Sequence, residues 1–77
     1  MTIGERLKEW RTSKGLAQKD ASSILGISVG VLQKYEYDSS VPGGDALKAF
    51  IREGLNVNWL LSGEGEMLLG AENSSVK

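Results

Sequence analysis

Between Gln18 and Glu36 the chain reads QKDASSILGISVGVLQKYE, two short apolar-periodic segments with only Gly26, Ile27 and Ser28 between them. Helices joined by so short a connection must cross steeply, and that requirement fixes what the residues around the join have to do. The face of the first helix on which the second packs needs small side chains, and Ala21 and Ser22 supply them. The turn needs one residue at positive φ, which glycine adopts without a Cβ clash, and Gly26 stands four residues after Ser22. Ser28 is placed to cap the second helix, which runs from Val29 to about Tyr37. Ile27 fills the corner, Leu32 and Tyr35 turn inward, and Gln33 and Lys34 turn outward.

The flanking sequence supplies further helices for this pair to pack on. Thr2 caps a first helix, Glu5 completes a capping box, and Ile3, Leu7 and Trp10 form an apolar stripe that stops at Lys14-Gly15. The helix before Gly26 spans Ala17 to Leu25, with Ala21, Ile24 and Leu25 as its apolar members. Asp38 to Gly44 is turn-rich and holds the only proline. Asp45 then caps or opens a helix carrying Ala46, Leu47, Phe50 and Ile51, closed by Gly54. Asn56 or Asn58 caps a short last helix through Trp59, Leu60 and Leu61, ended by Ser62-Gly63. The expected architecture is all-α, with five helices in one domain over residues 1–69 and a flexible tail or linker start over 70–77. Leu60, Leu61, Met67, Leu68 and Leu69 either close the core or form a two-fold contact between copies. Helical spacing assigns Trp10, Tyr35, Phe50 and Trp59 to core packing rather than to stacking on single strands.

Composition narrows the chemistry. A chain of 77 residues supports one economical core. It has no cysteine and no histidine, which removes disulfides, zinc fingers and the commonest general base. Ser13 and Lys14 are neighbours and do not face each other on a helix, so no nucleophile pair is formed and no enzyme is expected. Glu64 and Glu66 lack the Asp-rich pattern of a calcium loop and read as a solvated turn. No cofactor, metal or small-molecule ligand is expected. Met1 to Arg6 has no apolar signal region and no apolar run is long enough to span a bilayer, so no membrane role and a cytoplasmic location are expected. The net charge of -1 weighs against a nucleic-acid partner, but charge is segregated. Residues 1–34 carry six basic and three acidic side chains, a net of +3, whereas 35–77 carry three and seven, a net of -4.

Gln18, Ser22, Gly26, Ile27, Ser28, Leu32, Tyr35 and Glu36, in this string, resemble the lambdoid phage repressors and their bacterial relatives, the Xre or Cro/repressor helix-turn-helix family. SVPGGDALKAF and NVNWLLSGEGEM are similar to the segments that follow the motif in prophage-encoded repressors, so the likeness covers about Ile3 to Met67. The resemblance implies a repressor-like fold whose helices 2 and 3 form the helix-turn-helix. It also implies sequence-specific binding of double-stranded operator DNA, as a homodimer on a palindromic site. By the same resemblance Gln18 bonds a phosphate and steadies the recognition helix, and Ser28 adds a phosphate contact at its start. Val29, Gly30, Gln33, Lys34 and Tyr37 fall where family members read base edges or touch the backbone. Lys34 suits guanine O6/N7, Gln33 suits adenine, and Val29 suits a thymine methyl. Lys19 and Arg11 are further candidates for contact with DNA.

Departures from the family pattern carry expectations of their own. Ser22 stands where alanine is usual, and Ile24 where a polar residue is usual, so a rotated second helix with Ile24 sharing burial is expected. Val29-Gly30 implies either a recognition helix that starts late or a close approach of its backbone to DNA. The alternative function is a protein-interaction module on the same scaffold, binding a partner through the acidic C-terminal half or the apolar end segment instead of DNA.

Overall fold

Helix boundaries follow the capping residues. In the computed structural model, which describes residues 1–70, Thr2 Oγ1 accepts the Glu5 N–H at 3.1 Å and Glu5 Oε1 accepts the Thr2 N–H at 2.8 Å. This reciprocal box opens α1 (Ile3–Ser13). Beyond it lie α2 (Gln18–Leu25), α3 (Val29–Glu36), α4 (Gly44–Arg52) and α5 (Val57–Ser62). Asn56 caps α5 by accepting the Asn58 N–H at 3.1 Å, and Gly63, at φ 83°, ends it. Gly43 is the residue before α4, with no side-chain cap, and Asp45 lies in that helix's first turn, where its charge suits the positive end of the dipole. The tail read over 70–77 lies, but for Gly70, outside the described residues.

The fold is all-helical. α1 lies along α3 and α5, α2 crosses α3 and meets α4, and α4 closes on α5. Each contributes to one core: Leu7 and Trp10, Ala21 and Leu25, Leu32, Ala46, Ala49 and Phe50, and Leu60, with Leu55 from the α4–α5 join. The Trp10 and Phe50 rings meet at 6.4 Å in a tilted arrangement, within the range aromatic pairs prefer. Tyr35 and Trp59 pack against this core, as their spacing predicts.

Two apolar residues depart from expectation. Ile24 is 44 % exposed and Ile51 is 47 % exposed. In α2 the close crossing with α3 is made by the small pair Ala21 and Ser22. Ser22 is buried with its hydroxyl bonded to the Lys19 carbonyl, which turns Ile24 outward. In α4 the inner face is Ala46, Ala49 and Phe50, and Ile51 lies a helical step beyond it.

Longer-range ties fasten the ends. Arg6 is buried and makes no ion pair with a carboxylate among the described residues. Its guanidinium donates to the carbonyls of Leu60 (2.7 Å), Leu61 (3.3 Å) and Met1 (2.7 Å), so it supplies donors to orphan carbonyls at the end of α5. After α5 the chain doubles back, with Leu55 and Leu68 forming an antiparallel bridge and Asn56 N–H donating to the Met67 carbonyl at 2.9 Å. The end cluster is thereby divided: Leu60 is core, Met67 is partly buried, and Leu61, Leu68 and Leu69 are about 40 % exposed. Among the described residues no helix is long and apolar enough to cross a membrane, and no group of acidic side chains is placed to hold a metal ion.

Candidate nucleic-acid interface

The corner between α2 and α3 is built as its sequence requires. Gly26 adopts φ 73° and ψ 27°, and the next N–H, that of Ile27, donates back to the Ser22 carbonyl at 3.1 Å. Ser28 Oγ then accepts the Val31 N–H at 3.1 Å. α3 begins at Val29 directly after this cap, so the helix does not start late and Gly30 sits inside its first turn. A Cβ at Gly30 would meet nothing closer than Ser28 Oγ at 4.0 Å, so internal packing does not explain the glycine.

Along α3 the inner face is Leu32 and Glu36, both buried. The opposite side presents Gly30, Lys34 and, at the C-cap, Tyr37, which is 71 % exposed. Val29 and Gln33 lie half-buried on its flanks, Ser28 is exposed at its start, and Lys19 is exposed on α2. Of the eight residues singled out on the α2–α3 unit, Gly30, Lys34 and Tyr37 form one solvent-facing ridge with Ser28 exposed at its start, while Val29 and Gln33, expected outward, are half-buried beside it.

Gln18 is in a different setting. Arg11 donates from Nε to Glu36 Oε2 at 2.6 Å and from Nη2 to Oε1 at 3.1 Å, and its Nη1 donates to the Leu16 carbonyl at 2.7 Å. The ion pair is deeply buried, with side-chain exposures of 9 % and 1 %. Gln18 Nε2 donates to the same Glu36 carboxylate at 3.0 Å, and Gln33 Nε2 donates to Gln18 Oε1 at 3.2 Å. One chain of bonds thus runs from α1 through the inner face of α3 and the first residue of α2 to the flank of the ridge. Arg11, expected as a candidate for contact with DNA, is a buried partner of Glu36 instead.

The C-terminal end of α3 is held by Asp38, at φ 64°, whose Oδ1 accepts the Gly4 N–H at 2.8 Å. The Thr2 hydroxyl foremost, then the Gly4 N–H and the charge of Arg6, hold its carboxyl below the usual carboxylate range against a small opposing effect of burial. Gly4 lets this junction close: a Cβ there would lie 2.6 Å from the Tyr35 carbonyl oxygen and press on that of Glu36 as well.

A family model described as helix-turn-helix matches residues 7–53, from the second turn of α1 to the end of α4. The chain belongs to the Xre-type helix-turn-helix family. This helix-turn-helix chain is also similar to the HTH-type transcriptional regulator ImmR of Bacillus subtilis (strain 168), at 35 % identity over 77 residues. The match covers 100 % of the chain and 55 % of that regulator, so the chain spans about half the length of the relative it matches. No solved structure matches it. The family resemblance read from Gln18 to Glu36 is thus borne out, together with the helical fold.

Sequence reasoning about this helix-turn-helix missed the buried pair, although a signal for it was present. Arg11 stands four residues after Leu7 and Glu36 four after Leu32, each on the same helical face as a leucine of the core. Opposite charges that extend two apolar stripes are placed to pair inside once the helices pack together.

Proposed function

We propose that this chain is the DNA-reading part of a transcriptional regulator of phage or prophage type, in which residues 1–69 bind double-stranded operator DNA sequence-specifically and repress by occupying it. The observation that carries the proposal is the ridge of α3, solvent-facing at Gly30, Lys34 and Tyr37 while Leu32 and Glu36 lock the opposite side into the fold. A helix held in this way can lie in a major groove without disturbing the core. Gln18, Lys19 and Ser28 contact phosphates in this reading. Val29, Gly30, Gln33, Lys34 and Tyr37 meet base edges or the adjoining backbone. The name of the similar regulator, ImmR, supports a role in transcription control.

One such unit covers one half-site, so binding as a symmetric dimer belongs to the same proposal, with the exposed Leu61, Leu68 and Leu69 as its contact surface. DNA as the target places the protein's work in the cytoplasm. The net charge of -1 and the Val29-Gly30 pair favour the rival reading, a partner-binding module without DNA contacts. A gel shift with random duplex DNA at low and moderate salt separates the two. Salt-sensitive retardation supports the regulator, and its absence even at low salt supports the rival. Selection of sites from a random pool then tests readout. Lys34→Ala is expected to change the preferred base at one position in each half-site, and equal loss on operator and random DNA would contradict that role.

A further inference from the structure

We infer that the buried charge of Glu36 fixes which way the Gln33 amide faces, so that Gln33 reads adenine and Gln18 and Glu36 act as positioning residues for it. The inference rests on the DNA-binding reading above. A carboxylate offers only acceptors, so the Gln18 group facing Glu36 Oε1 at 3.0 Å must be its NH2. The Gln18 carbonyl oxygen then points away from Glu36 and can only accept. It lies 3.2 Å from the Gln33 side chain, so Gln33 must in turn present its own NH2 there. Each orientation in the series follows from the charge at its buried end. That end does not turn, because Arg11 grips both carboxylate oxygens, at 2.6 and 3.1 Å.

With one N–H given to Gln18, Gln33 keeps one N–H and its carbonyl oxygen, which has no partner among the described residues. An acceptor beside a donor complements the N6 donor and N7 acceptor of adenine. Guanine presents two acceptors, O6 and N7, and would set one of them against the Gln33 oxygen. A free glutamine can rotate its amide to suit either base, whereas the Glu36–Gln18 series removes that choice. Gln18 itself retains one N–H, so the phosphate contact proposed for it is compatible with this role.

The test selects sites from a random duplex pool with the wild-type chain, with Gln33→Ala and with Gln18→Met, which keeps length and bulk but lacks both bonds. Melting curves check that Gln18→Met folds, and the solvent-side variant Gln33→Ala provides a readout independent of the buried pair. The wild-type consensus is expected to hold, in each half-site, one adenine preferred about 5- to 150-fold. Both variants are expected to lose that preference while the remaining positions keep theirs. Replacing this adenine by 7-deazaadenine should weaken the wild type and leave both variants unaffected. A Gln18→Met consensus identical to wild type, with affinity reduced equally on all sequences, overturns the positioning role. So does a Gln33→Ala consensus unchanged at every position. A wild-type pool with no consensus at all overturns the DNA-binding reading itself, and the two failures are thereby told apart.

Discussion

Glu36 carries its charge at 1 % side-chain exposure, a setting in which removal of one partner leaves the other without compensation. Truncating one member of a buried pair typically costs about 3–5 kcal/mol, whereas replacing both by apolar residues of similar volume is often neutral or better. Glu36→Ala alone is therefore expected to destabilise by about 3–5 kcal/mol, and Arg11→Met combined with Glu36→Leu to recover most of that loss. Urea denaturation of the two variants checks the contrast, and equal losses in both would show that the pair is not the source of the cost. Gly4 presents the opposite case, a residue important for an atom it lacks. In most helices alanine would gain up to about 1 kcal/mol over glycine. Here the added Cβ meets backbone oxygens of Tyr35 and Glu36, which cannot swing aside as a side chain can. Gly4→Ala is expected to reverse the sign and cost about 2–3 kcal/mol, read as a lowered unfolding midpoint.

At the scale of elements, legibility depended on how local each determinant is. Thr2 with Glu5, Gly26 and Ser28 act within a few residues of themselves and each stands where the sequence put it, while of the two asparagines left open before α5 it is Asn56 that caps. How far α2 is turned about its axis was misread, because Ile24 is apolar enough for burial and only its crossing with α3 decides that Ala21 and Ser22 go inside instead. The return of residues 67–69 onto 54–56 left no local trace either, since it rests on backbone bonds between distant segments. Gly30 is the element-scale test of function. It lies in the first turn of α3 with room for a Cβ, so Gly30→Ala is expected to raise stability by about 0.5–1 kcal/mol. If the bare backbone lies close to DNA, the same variant must bind operator more weakly while melting at a higher temperature. A variant that melts higher and binds unchanged would remove the close-approach reading of this glycine.

Over the whole molecule, the charge pattern read from the sequence changes meaning once burial is known. Of the six basic residues in 1–34, Arg6 is enclosed by backbone carbonyls and Arg11 by Glu36, leaving Lys8, Lys14, Lys19 and Lys34 at the surface. Lys14, at the end of α1, lies 5.7 Å from the centre of the Trp10 ring, a cation–π position, and the cations of the α2–α3 unit itself are Lys19 and Lys34. Helical period puts Lys34 outward, as it stands, but not Gln33, which is half-buried and bonded to Gln18, and it gives no sign that two of the six cations serve the interior. A protein of net charge -1 with two ridge cations releases few counterions on binding. The slope of log affinity against log salt should then be shallow, about -1 per half-site with Lys34 on a base edge and about -2 with it on the adjoining backbone, with backbone N–H groups and neutral side chains supplying the rest of the phosphate contacts. On the proposed reading, in which Lys19 meets phosphate and no base edge, Lys19→Ala should reduce that slope by about 0.9 per half-site and weaken operator and random DNA alike. Affinity titrations at several salt concentrations measure both quantities. A steep wild-type slope, or one that Lys19→Ala leaves unchanged, would mean that cations outside the α2–α3 ridge hold the DNA.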